Sequence, residues 1–189
     1  MRFRKRMKRF VRRFMGNDDV AKIARRYLVM NSFDGVLTIL GVVVGTFTAE
    51  GFTHPSIVLS AGFGASLAMG ISGAMGTYLT ERSERIRENA NDEEESNGDV
   101  YEASLFLALV DGLSPALVTL IAIIPFILAL RYIISVEIAF ISSIIIIAGE
   151  LFGLGAFLGK IAGKNIIFHG LVTLIAGIAV FLIVSILPF

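Results

Sequence analysis

Three carboxylates stand inside apolar stretches of this chain. Asp34 lies in Tyr27-Leu-Val-Met-Asn-Ser-Phe-Asp34-Gly-Val-Leu-Thr-Ile-Leu-Gly, Asp111 in Val110-Asp111-Gly-Leu-Ser-Pro115, and Glu150 in Ile147-Ala-Gly-Glu150-Leu-Phe. A charged acid at the centre of a bilayer helix costs on the order of 3 kcal/mol unless a partner, a wet cavity or a proton relieves it. Carboxylate oxygens are ligands for hard divalent cations. Taken out of water they also take up protons, so the same groups could couple metal movement to a proton moving the other way. A second acidic set, Glu81, Glu84 and Glu88, falls on one helical face by its spacing. It could collect a divalent ion before the ion enters the membrane. It could equally form ordinary surface pairs, since Arg85 follows Glu81 by one helical turn.

The other residue types narrow the chemistry. There is no cysteine, and the two histidines, His54 and His169, lie far apart, which argues against zinc held by thiolates or clustered imidazoles. Carboxylates, carbonyls, hydroxyls and the thioethers of Met69 and Met75 favour Mn²⁺, Fe²⁺, Mg²⁺ or Ca²⁺ over Zn²⁺ or Cu⁺. Pro115 cannot donate to the carbonyl of Asp111, one turn before it. That leaves an oxygen beside the carboxylate that either joins a cation site or is satisfied by Ser114 or water at a simple kink. No nucleophile and base pair up, and His54 and His169 are expected on opposite sides of the membrane. Neither enzymatic activity nor a permanently bound cofactor is expected.

These acids have to be positioned by membrane helices. The chain has 189 residues, 55% of them hydrophobic, and a mean hydropathy of +0.77, too apolar for a water-soluble domain. Five runs, about 28–49, 56–79, 104–130, 138–158 and 166–187, come close to the roughly 20 residues that cross a bilayer core. The expected fold is an all-α membrane protein with five transmembrane helices. Residues 1–27 read as a basic amphipathic cytosolic arm, 28–80 as spans one and two, 81–103 as an acidic cytosolic segment, and 104–189 as spans three to five. With the N-terminus in the cytosol, 16 of the 17 lysines and arginines face the cytosol and Arg131 alone faces outward. The positive-inside rule favours that orientation, with the C-terminus outside a cell membrane. Phe3, Met7, Phe10 and Phe14 form an apolar stripe on the basic arm, which suits an anionic lipid surface rather than nucleic acid.

At a rise of about 1.5 Å per residue, Asp34, Asp111 and Glu150 lie roughly 9, 10 and 12 Å from the cytosolic ends of their spans. Such agreement is expected of a shared site, or of a stacked pair of sites across a dimer axis. Glycines recur at four-residue spacing, as in Gly41 and Gly45 or Gly155, Gly159 and Gly163, so helices can pack closely within a bundle or a dimer. Phe33-Asp34-Gly35 and Val110-Asp111-Gly112 share a signature that hints at related halves.

Asn31-Ser-Phe-Asp34-Gly in the first span, Ser72-Gly-Ala-Met-Gly-Thr-Tyr78-Leu-Thr-Glu-Arg-Ser-Glu84 closing the second, and Gly159-Lys-Ile-Ala-Gly-Lys-Asn165 before the last resemble the vacuolar iron transporter family in order and spacing. The resemblance covers the membrane part of the chain. It implies a homodimer that exports Fe²⁺, often also Mn²⁺, from the cytosol in exchange for protons. It also implies a metal path at the dimer interface between the first and second spans. Asp34 matches the family's membrane aspartate. Where the family has a glutamate and a methionine in the second span, this chain has Ala65 and Gly73, and the family's long glutamate-rich segment is reduced to a short acidic loop. The resemblance is therefore to a divergent, short, prokaryotic-type member.

The expected function is a proton-coupled divalent metal exporter with a second copy, lipid, metal ions and protons as partners. Its expected metal ligands are Asp34, with Asp111 and Glu150 as a second group, and Glu81, Glu84 and Glu88 gathering ions. The competing expectation is a non-transporting membrane scaffold or partner subunit, in which buried acids link helices by hydrogen bonds.

Overall fold

The apolar runs are the middle parts of longer helices. A computed structural model describes residues 18–89 and 97–187. It contains α1 (Asp18–Glu50), α2 (Pro55–Asn89), α3 (Asn97–Leu130), α4 (Val136–Ile161) and α5 (Ile166–Ser185). All five are long and apolar enough to cross a membrane, as the five-span reading requires. The amphipathic arm up to residue 17 and the centre of the acidic loop, 90–96, lie outside the described residues. α2 runs well past its apolar stretch because oppositely charged residues take over at helical spacing, Arg85 with Glu81 and Arg87 with Glu84.

Local chemistry sets the helix ends. Gly51 and Gly163 adopt left-handed φ of 64° and 63° where α1 and α4 stop, a conformation that glycine takes without a steric penalty. Ser135 caps α4 and Asn165 caps α5, accepting from the amides of Ile138 and Phe168 at 3.3 and 3.1 Å. Pro115 and Pro125 both remain inside α3. The Ser114 hydroxyl donates to the Val110 carbonyl.

The chain divides into two units. In the first, made of the described parts of 1–31 and 70–114, Val20 and Ala24 of α1 pack with Ala103, Phe106 and Leu107 of α3. Within this unit α2 and α3 approach closely at Gly112. A methyl group there would stand 2.4 Å from the Gly70 carbonyl oxygen and 2.8 Å from the Ala74 Cβ. Contact this close needs a residue without a side chain.

In the second unit, residues 32–69 and 115–187, Val36, Ile39, Val43 and Val44 of α1 form one core with Ala122, Ile123 and Phe126 of α3 and Ile147 and Leu151 of α4. Two buried hydroxyls satisfy themselves across helices. Thr119 donates to the Gly35 carbonyl at 3.3 Å, and Ser143 donates to the Ala122 carbonyl at 2.8 Å. Such bonds fix the register of apolar helices that would otherwise slide past one another. α4 and α5 form a tight hairpin at Gly155, against the His169 carbonyl and Thr173. The Thr173 hydroxyl donates to the Leu151 carbonyl at 2.7 Å.

The two Asp-Gly pairs are accounted for by packing. A Cβ on Gly35 would lie 2.7 Å from the Pro115 Cα, so Gly35, like Gly112, marks a close helix approach. The aspartates beside them differ, since Asp34 is exposed and Asp111 is buried.

Candidate ion-binding site

Asp111 is the most elaborated of the three membrane acids. It is 4% exposed, in the first unit, and both its carboxylate oxygens accept hydrogen bonds. Asn31 of α1 donates its Nδ2 to Oδ1, and Thr77 of α2 donates its hydroxyl to Oδ2 at 2.7 Å. Asn31 Nδ2 also donates to the Tyr27 carbonyl at 3.1 Å, so two acceptors fix the orientation of that amide. The carboxylate lies over Gly73: a Cβ at position 73 would be 3.0 Å from Oδ2 and 3.5 Å from the Asp111 carbonyl oxygen. The glycine at 73 thus has a physical reason, because the Asp111 carboxylate fills the space a larger side chain would need. Among the described residues no lysine or arginine bridges Asp111.

One turn further along the same face of α2, Glu81 closes this polar region. Its Oε1 accepts from the Tyr27 hydroxyl at 2.7 Å, and its Oε2 lies 3.6 Å from the Arg85 Nε, with both side chains of that pair 12% exposed. Glu84 is more open and faces Arg87 at 3.9 Å. Glu88 lies near the end of α2, and its side chain is outside the described residues. Asn31, Thr77 and Tyr27 are the residues that the sequence reading passed over as partners. Only their spacing gives a signal: Tyr27 and Asn31 are one turn apart on α1, and Gly73, Thr77, Glu81 and Arg85 one turn apart on α2.

The other two membrane acids, both in the second unit, have different surroundings. Asp34 is exposed on α1, in a row with Met30 and Thr38 at four-residue intervals. Glu150 is partly buried on α4, and both its carboxylate oxygens are shut off from solvent and, among the described residues, without a hydrogen-bond partner. Met75 is exposed, and Met69 and Ala65 are half-buried. Among the described residues no three acids or histidines stand close enough together to hold one metal ion.

Glu150 yields a direct prediction. A buried polar group without a partner costs about 1–3 kcal/mol, so Glu150→Leu is expected to raise the thermal midpoint of the purified protein, followed by circular dichroism. A lower midpoint would show that Glu150 finds a partner in the assembled protein.

The comparisons with known proteins agree with the motifs in α1 and α2. Residues 25–103 match the VIT family. The resemblance read at 31–35 and 72–84 is therefore borne out, while the motif at 159–165 lies beyond the matched segment. An uncharacterized protein of Methanocaldococcus jannaschii is 29% identical over 167 residues, covering 82% of this chain and 83% of its own. No solved structure matches the chain significantly.

Proposed function

We propose, from the VIT-family identity of residues 25–103, that this protein transports divalent metal ions across a membrane and exports Fe²⁺ or Mn²⁺ from the cytosol against protons. The observation that carries the reading is Asp34. It is an acid within a membrane helix that leaves its side chain exposed on the protomer, where lipid would be a poor neighbour for it. A second copy, with an ion path along the interface, removes that difficulty. The outer face of α2 fits such a partner. Ser60, Gly64, Ala68, Ser72, Gly76 and Thr80 recur every four residues and are all exposed, and nothing in the protomer comes within 4 Å of a Cβ built on Gly64 or Gly76. Rows of small residues let membrane helices approach closely. In this reading Asp34 binds the metal at the dimer interface, and the N-terminus lies in the cytosol, as the charge distribution favours. Glu81 and Glu84 each stand beside an arginine that balances their charge, so they read as ion pairs rather than a ligand set.

The experiment is uptake of Fe²⁺ and Mn²⁺ into proteoliposomes with an imposed pH gradient. Flux that follows the gradient supports the antiporter. No flux of either ion from folded protein leaves the membrane scaffold, a reading favoured by the hydrogen bonds that link Asp111 to α1 and α2.

A further inference from the structure

We propose that the turn between α3 and α4 is a membrane-interface anchor, with the Tyr132 ring seated among the headgroups and glycerol carbonyls of the bilayer lipid. The proposal does not rest on the transport reading.

The turn lies wholly in the second unit. Two backbone bonds close α3 there. The Tyr132 amide donates to the Ala129 carbonyl at 2.9 Å, and the Ile133 amide donates to the Leu128 carbonyl at 3.0 Å. This pair of bonds needs a left-handed residue at its corner, and glycine is the usual one. Where α1 and α4 stop, the left-handed residue is indeed glycine, Gly51 and Gly163. Here it is Tyr132, at a φ of 57°, and no other non-glycine residue among the described residues has a positive φ. A tyrosine is strained in that conformation, because its Cβ crowds the backbone. Packing within the protomer does not offset the strain, since Tyr132 is 96% exposed. Glycine would close the same turn without it. The tyrosine side chain therefore has its use outside the protomer.

The neighbouring residues identify what lies there. Ile133 is 67% exposed, and Leu130 and Arg131 are exposed as well. Water is a poor neighbour for leucine and isoleucine. The hydrocarbon core is a poor one for a guanidinium and a phenol hydroxyl. The boundary between the two suits all four residues. A tyrosine ring there lies against the upper acyl chains while its hydroxyl reaches lipid oxygens or water. The arginine can lay its aliphatic stem along the chains and direct its charge to the lipid phosphates. The location agrees with this assignment. α3 and α4 are both long and apolar enough to cross a membrane, so the turn between them is where the chain leaves the bilayer. An anchor at this point sets the depth of the α3–α4 hairpin.

The test exploits the absence of tryptophan from the chain, so one substitution supplies a unique fluorophore. Tyr132→Trp and, separately, Ile133→Trp are reconstituted in phosphatidylcholine vesicles that carry spin labels at graded depths. The expected result is emission shifted to shorter wavelength than that of a tryptophan amide in buffer. Quenching should be strongest from labels near the headgroups, weaker from labels near the chain ends, and weak from aqueous iodide. Ile133→Trp has no left-handed backbone to satisfy, so it decides the matter even if Tyr132→Trp does not fold. Adding Tyr132→Gly to Ile133→Trp keeps the turn and removes the ring, and iodide quenching of the reporter should then rise. Emission like that in water with full iodide quenching overturns the proposal. So does strongest quenching from the deepest label, which would place the turn in hydrocarbon. Protection from both lipid labels and iodide would mean that protein, such as a second copy, covers the turn, and also overturns it. Iodide quenching unchanged by Tyr132→Gly would show that Tyr132 is not the anchor.

Discussion

Asp34→Asn is expected to lower pH-driven uptake of Fe²⁺ and Mn²⁺ by at least about 100-fold, more than the 10- to 100-fold typical of losing a residue that only supports a ligand. The substitution keeps the size and shape of the side chain and removes its charge. Asp34 is exposed, with no interhelical hydrogen bond among the described residues, so the fold has little to lose. Thermal midpoint and helix content should stay at wild-type values while transport falls. That separation distinguishes an ion ligand from a structural acid, because an acid that links helices would lower stability and transport together. Asp34→Glu should recover part of the flux, since the carboxylate remains and only its position changes. Unimpaired uptake in Asp34→Asn would remove Asp34 from the mechanism.

Gly112→Val is expected to destabilise the protein by about 3 kcal/mol or more, the upper end of what overpacking costs. The obstacle is backbone rather than a side chain that could turn aside. A Cβ at 112 meets the Gly70 carbonyl oxygen at 2.4 Å and the Ala74 amide nitrogen at 3.1 Å. α2 and α3 would have to separate, and the bond from Thr77 to Asp111, which spans the same two helices, would stretch or break. Replacing glycine in a helix ordinarily gains up to about 1 kcal/mol of helix propensity, so a net loss reports the packing alone. Gly153→Ala on α4 is the control, since among the described residues nothing lies within 4 Å of the added methyl. Circular dichroism melts of the two variants in one detergent make the comparison. An undiminished midpoint for Gly112→Val would mean that α2 and α3 do not approach as described.

The membrane class and the five helices were legible in the sequence because spanning length and apolar composition are properties of a segment alone. The resemblance to the VIT family, matched over residues 25–103, was equally legible, as a pattern of residues along the chain. Helix lengths were read short, since charged pairs such as Arg85 with Glu81 continue a helix after its apolar stretch has ended. The acids show where sequence reading stops. Similar depth suggested that Asp34, Asp111 and Glu150 belong together, but depth is only the coordinate along each helix. Rotation about the helix axis is set by which faces pack, and in a chain apolar on nearly every side the sequence leaves that rotation open. The tertiary structure decided it: Asp111 turns inward to Asn31 and Thr77, Asp34 turns outward, and Glu150 is shut in without a partner among the described residues. Gly73, which in sequence looked like a lost ligand, became the space for the Asp111 carboxylate, because only packing brings α2 and α3 face to face there.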